Sequence, residues 1–171
     1  MVVFAYDLDD PRHLTVGAVE STDVPVYYLQ AGQANTLVTM HITEAHVDAL
    51  ARAMRAILDD LGRRQPHRFT AFDGAIRDMR LRSPLILAFR ITHVGLGYDE
   101  DRDRITLLFQ GLRDDATLVL ARILVSRPQS LNWCIHALRI IPGSDSRCVQ
   151  GLTPCRFRDG RGRCRFCPKR N

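Results

Sequence analysis

Asn35-Thr-Leu-Val-Thr-Met-His-Ile42 runs directly into Thr43-Glu-Ala-His-Val-Asp-Ala-Leu50, and the apolar period changes between the two. Up to Ile42 the apolar share is carried by Leu37, Val38, Met40 and Ile42, close to the two-residue alternation of a half-buried strand. From Val47 onward, Leu50, Met54, Ile57 or Leu58, and Leu61 recur at about 3.6 residues, the spacing of a one-faced helix. Thr43 stands where a helix N-cap belongs, and Gly62 is the expected stop. The junction therefore predicts a strand feeding a helix that covers a sheet.

On the N-terminal side, Val2–Leu8 is a short apolar run ending in the acidic turn Asp7-Leu-Asp-Asp-Pro11. Leu14–Glu20 and Val24–Ala31 are rich in Val and Tyr and are parted by Ser21-Thr-Asp23, so they read as strands. With Asn35–Ile42 they predict an antiparallel meander of four segments. On the C-terminal side, residues 63–84 interleave six arginines (63, 64, 68, 77, 80, 82) with Phe69, Phe72 and Met79, and resolve into no clear element. Leu85–Tyr98 is a long strand expected to bend at Gly95 or Gly97. Asp99-Glu-Asp-Arg-Asp103 is a charged hairpin turn, followed by strands over Ile105–Phe109 and Thr117–Val125. Ser126-Arg-Pro128 opens a second helix, whose buried stripe is Leu131, Cys134, Ile135 and Leu138 and whose end is Pro142-Gly143. The class is α+β: mostly antiparallel sheet covered by two helices, with strands then helix occurring twice, as in an internal repeat.

Charge is unevenly spread. Residues 147–171 hold eight Lys/Arg and one Asp, a net +7, whereas the rest of the chain is at −2. All but Lys169 of the basic residues are arginine, a bias that a GC-rich genome produces as readily as selection for bidentate phosphate contacts. No stretch is apolar enough to span a bilayer, and no signal peptide is recognisable at Met1–Asp7, so a cytoplasmic location is expected.

In a reducing compartment a tight cysteine cluster points to a metal or redox centre before a disulfide framework. Cys148, Cys155, Cys164 and Cys167 give the spacing x6, x8, x2, in which Cys164-Arg-Phe-Cys167 places two thiolates on one turn. Cys148 and Cys155 complete a tetrahedral set, so one structural Zn2+ is the first expectation. An iron–sulfur cluster also suits four cysteines with proline after the last. Almost nothing apolar lies between these cysteines, so the metal would supply the folding energy. This divides the chain into an α+β domain over 1–143 and a basic, metal-binding tail with four cysteines over 144–171.

Arg156, Arg158, Arg161, Arg163, Arg165 and Arg170 surround the cysteines, with Phe157 and Phe166 between them. Two roles fit: contacts to nucleic-acid phosphates or an acidic protein surface, or compensation of the −2 charge of a tetrathiolate zinc site. A second reading is an enzyme or small-ligand binder with a site between sheet and helices, using His41, His93 or the 63–82 arginines. A third is a homo-oligomer or scaffold in which the tail is purely structural. No catalytic residue is assigned, because none of the six histidines lies in a protease, triad or haem motif. Asp99, Asp101 and Asp103 alternate as in a calcium loop but lack its glycine and distal glutamate.

Several stretches together resemble the Domain of Unknown Function 3090 family of high-GC bacteria. They are Tyr6-Asp-Leu-Asp-Asp-Pro11, Val16-Gly17, Val26-Tyr-Tyr-Leu-Gln-Ala31, Val47-Asp-Ala-Leu50, Gly97-Tyr-Asp99, Asp103-Arg-Ile105, the second helix and Cys167-Pro-Lys-Arg-Asn171. The resemblance implies an α+β domain followed by a zinc-ribbon-like tail with a Cys-x2-Cys pair and a later His/Cys pair. This chain departs from that tail: the first pair is spread to Cys148 and Cys155, and Cys164 stands about where a histidine would. It implies no activity.

Overall fold

A computed structural model describes residues 1–21, 23–68 and 78–141. Among them seven strands form one sheet: β1 (Tyr6–Asp9), β2 (His13–Val19), β3 (Val26–Gln33), β4 (Thr36–Ile42), β5 (Leu87–Asp99), β6 (Arg104–Leu112) and β7 (Leu118–Val125). The helices are α1 (Glu44–Arg64) and α2 (Arg127–Ile140), with a single 3-10 turn at Pro66–Arg68. The spatial order is β1-β7-β6-β5-β4-β3-β2.

β2, β3 and β4 form an antiparallel meander followed by α1, and β5, β6 and β7 form a second one followed by α2. The halves join through a parallel β4–β5 pair. The strands-then-helix alternation is thus real at the level of topology, with three strands in each unit. Both helices open on the expected caps: Thr43 Oγ1 accepts from His46 N at 3.2 Å, and Ser126 Oγ accepts from Gln129 N at 3.4 Å.

Four expectations need correction. The first segment does not join the meander. β1 pairs in parallel with β7 at the opposite edge, Tyr6 against Ala121, because Leu8 finds its apolar partners there. Residues Asp7 and Asp9, read as an acidic turn, are therefore strand residues. Gly62 does not stop α1. The helix runs on to Arg64 because Leu61 is buried and Arg63 and Arg64 reach back to Asp60, at 3.6 and 2.8 Å. A glycine inside a last turn costs only about 1 kcal/mol, which such contacts offset. The irregularity in β5 lies at Thr92, where the register slips between Ile91 and His93, while Gly95 and Gly97 sit in a regular ladder. Finally, the 63–84 segment hides structure: residues 78–86 lie across the outer face of the sheet, bonded to Thr15 and Gln30.

The strand order dictates a curved sheet. Seven strands side by side on a flat sheet would hold β1 and β2 about 29 Å apart. Only Asp10, Pro11 and Arg12 connect them, a span of at most about 14 Å. The sheet therefore rolls until its two edges approach, and Asp9 N donates to Gln33 Oε1 at 2.9 Å. Among the described residues no ladder closes the seam between β1 and β2. Helix α2 lies along the β2 edge: His136 Nε2 donates to Val16 O at 2.7 Å, and Gln129 Nε2 donates to Pro11 O at 2.6 Å. An open edge is so masked by a helix, which removes a template for pairing with another chain.

The inner face is apolar along the sheet. Leu14 and Val16, Tyr27 and Leu29, Met40 and Ile42, Phe89 and Ile91, Leu107 and Phe109, and Ile123 and Val125 are all buried. Val47, Leu50, Met54 and Leu58 of α1 and Trp133, Cys134, Ala137 and Leu138 of α2 close over them. Cys134 is a core residue here, as its place on the helix predicts. Its sulfur lies 3.5 Å from Ala51 O, and burial pushes the thiol pKa up to about 12.

Candidate functional site

The residues with the strongest sequence signal, Cys148, Cys155, Cys164, Cys167 and Arg156, Arg158, Arg161, Arg163, Arg165 and Arg170, lie outside the described residues. Among the described residues no group of three or more His, Cys, Asp or Glu could hold a metal ion. The described histidines do not converge.

A site between sheet and helices is not what the geometry offers. That interface is filled by the apolar side chains named above. His41 points to the other face of the sheet, between Tyr28 and Arg90 in register, with its ring edge-on to Tyr28 at 6.2 Å. Burial and then the nearby Arg90 charge lower its pKa. His93 is exposed beside the Thr92 irregularity, its Nδ1 3.1 Å from Thr92 Oγ1. Arg63 and Arg64 pair with Asp60, and Arg80 pairs with Asp78 at 3.0 Å. Arg82 lies on the outer face. Arg77 lies outside the described residues, and the described ones named here form no common site.

Two polar arrangements carry no signal in the sequence. The first is a buried cluster where α2 begins. Arg127, 5 % exposed, donates from Nε to Asp103 Oδ1 at 2.8 Å and from one terminal nitrogen to Tyr98 OH at 3.1 Å and to Gln65 Oε1. Tyr98 OH in turn donates to Asp103 Oδ1 at 2.6 Å. Burial opposes the Asp103 carboxylate, but the hydrogen bonds from Tyr98 and Arg127 outweigh it and lower its pKa. The cluster ties the β5–β6 hairpin, the end of α1 and the start of α2 together. Its members bond mainly to one another across three elements, so its role is architectural, although the buried Arg127 Nη1 has no partner among the described residues.

The second is an open depression of about 600 Å³ between the β1–β2 turn and the β3–β4 hairpin. Asp10, Arg12, Gln33, Asn35, Thr36 and Arg82 line it, with Gly32 at its margin. Nearby, on the same outer face, lie the buried polar residues His13, Thr15, Gln30 and Thr39. Gln30 is the organiser. Its Nε2 donates to Thr39 Oγ1 at 3.0 Å and to Arg82 O at 2.9 Å, and its Oε1 accepts from Arg82 N at 2.8 Å. That bidentate grip fixes the backbone of Arg82 against the sheet. Burial and then the Arg82 charge lower the pKa of His13.

Fold and site together define an α+β domain: a rolled seven-stranded sheet closed by two helices, with its polar features on the outer face and at the helix ends. The chain belongs to the family described as "Protein of unknown function (DUF3090)", whose model matches residues 6–169. Neither the curated proteins nor the solved structures contain a match to it. No described helix is long and apolar enough to cross a membrane.

Proposed function

We propose that this chain is a non-enzymatic binding protein in which Cys148, Cys155, Cys164 and Cys167 hold one structural zinc ion and the arginines around them contact nucleic acid. One observation carries the reading: four cysteines and eight Lys/Arg fall within the last 25 residues, which begin a few residues after the second helix. Zinc would brace a segment too poor in apolar residues to fold alone. Arg156, Arg158, Arg161, Arg163, Arg165 and Arg170 would then meet phosphates from fixed positions, and Phe157 and Phe166 offer faces on which bases stack.

The body of the protein supports this division of labour. Among its described residues, ten arginines are ion-paired with carboxylates: 52, 55, 63, 64, 80, 90, 102, 104, 122 and 127. Its charge is balanced internally, so the net positive charge of the molecule resides in the tail. The apolar sheet–helix interface disfavours an enzyme site there.

Two measurements test the reading. Elemental analysis of protein purified without added metal is expected to give about one zinc per chain and no visible colour; iron with sulfide would replace zinc by a cluster. Binding to a fluorescent single-stranded oligonucleotide is expected to weaken steeply with salt. It should be lost when Arg156, Arg158, Arg161 and Arg163 are changed to alanine. Binding unchanged in that variant would sink the nucleic-acid reading, and capture of an acidic protein alone would redirect it to a protein surface.

A further inference from the structure

We infer that the outer-face depression binds the anionic group, phosphate or carboxylate, of a small hydroxyl-bearing molecule held between Arg12 and Arg82. The two arginines are far apart in sequence and line one concavity. Among the described residues neither has a carboxylate within ion-pair distance, whereas ten other arginines of the same domain do. Arg68, Arg113 and Arg139 also lack a carboxylate partner among the described residues, but only Arg12 and Arg82 share the lining of this concavity.

The one carboxylate in the lining does not neutralise them. Asp10 is instead directed to Arg104, at 3.8 Å. With two positive groups and one negative, the cavity carries a net positive charge. Guanidinium groups bind phosphate or carboxylate oxygens bidentately, which matches the chemistry available.

Preorganisation adds to this. Arg82 leaves the backbone from a point gripped on both its N–H and its C=O by the fully buried Gln30. Arg12 follows Pro11, whose carbonyl is held by Gln129 of α2 at 2.6 Å. Both attachment points are therefore fixed before any ligand arrives, which lowers the entropy cost of binding. Gly32 borders the cavity without a side chain. A Cβ there would stand 3.3 Å from Leu37 Cδ1 and 3.4 Å from His13 Cβ, so glycine lets these two side chains pack close beside the cavity.

The rest of the lining mixes the apolar Ala34 and Leu37 with polar groups. Asn35, Thr36 and Gln33 supply neutral donors and acceptors, and Asp10 offers an acceptor for a ligand hydroxyl. The volume, about 600 Å³, is within the ordinary range for small-molecule sites. A sugar phosphate or a hydroxy acid has the required combination of one anionic group and several hydroxyls.

The test is isothermal titration of the full-length chain at low ionic strength with glycerol 3-phosphate, inorganic phosphate, citrate and neutral glycerol. Saturable one-to-one binding of glycerol 3-phosphate or citrate, with none of glycerol, is expected, and which of the two binds assigns the anion as phosphate or carboxylate. Arg12→Gln and Arg82→Gln should each weaken it about tenfold or more with an unchanged melting temperature, since both side chains are exposed. Replacing tail residues Arg156, Arg158, Arg161 and Arg163 by alanine should leave it intact. Failure of every anion to bind overturns the inference, as does binding that the tail replacement abolishes and R12Q and R82Q leave unchanged. Either result leaves the nucleic-acid reading to its own test.

Discussion

Arg127 Nε donates to Asp103 Oδ1 at 2.8 Å, joining the first turn of α2 to the β5–β6 hairpin. The two sides of this bond are unequally exposed, 6 % for the arginine side chain and 35 % for the aspartate. Water can take over for Arg127 at Asp103, but not for Asp103 at Arg127. Asp103→Asn should therefore cost more, about 2 kcal/mol, than Arg127→Met, about 1 kcal/mol. Asparagine is the informative choice because Asp103 has φ 51, which Asn tolerates and most residues do not. Urea denaturation of both variants and the double variant checks the order. A double variant no worse than D103N alone would show that the two act as a unit.

Stability should fall as pH drops from about 7.5 to about 5.5. His13, His41 and His136 all have lowered pKa values, burial being the first cause in each. In the unfolded chain they bind protons near pH ~6.5, whereas the folded protein resists protonation until lower pH. The unfolded state thus holds more protons within that window, and stability declines as it is entered from above. Below the folded values the loss levels off. His136→Gln keeps a donor for Val16 O and removes one titrating group, so its urea midpoint should depend less on pH than the parent's.

Gln30→Leu should release residues 78–86 from the sheet. The substitution is nearly isosteric, but it strips partners from Arg82 N, Arg82 O and Thr39 Oγ1 at once. A cost of about 3 kcal/mol is expected. Hydrogen exchange should show the Arg82 amide losing protection while amides in α1 keep theirs.

Gly111→Ala should be among the most damaging single changes. A Cβ at Gly111 would fall on the Arg90 carbonyl and 2.5 Å from the Phe89 ring, beside the point where β5 slips register at Thr92. Backbone on one side and a buried ring on the other leave no room to yield. We expect about 3 kcal/mol of destabilisation, read as a lowered thermal midpoint. Gly97→Ala, whose Cβ would meet nothing nearer than 3.9 Å, is the control and should change little.

The parts of the fold legible in the sequence are those set by local periodicity. The 3.6-residue recurrence from Val47 to Leu61 and the caps at Thr43 and Ser126 depend on neighbours within a turn, so one stretch of chain contains the information. The partner of β1 does not. Tyr6 and Ala121 pair from opposite ends of the domain, and nothing near Tyr6 states which strand it will meet. Gln30 and Arg127 were invisible for a different reason. A polar residue at an alternate strand position or in a first helical turn reads as solvent-facing, and only the segment 78–86 or the β5–β6 hairpin laid over it makes it buried. The outer-face depression is assembled from three separated stretches, so no spacing could have announced it. The cysteine tail is the reverse case, plain as a pattern and outside the described residues.

The seam between β1 and β2 has a consequence for the order in which the molecule is made. A ribosome delivers β1 first, yet the strand it pairs with, β7, emerges only after all the others. The β2–β4 meander and α1 can assemble as they appear, but β1 must wait, and so must the helix that masks the β2 edge. Long-range pairing of this kind is slow and leaves strand edges bare in the meantime. In order of synthesis, β1 therefore waits longer for its sheet partner than any other described strand.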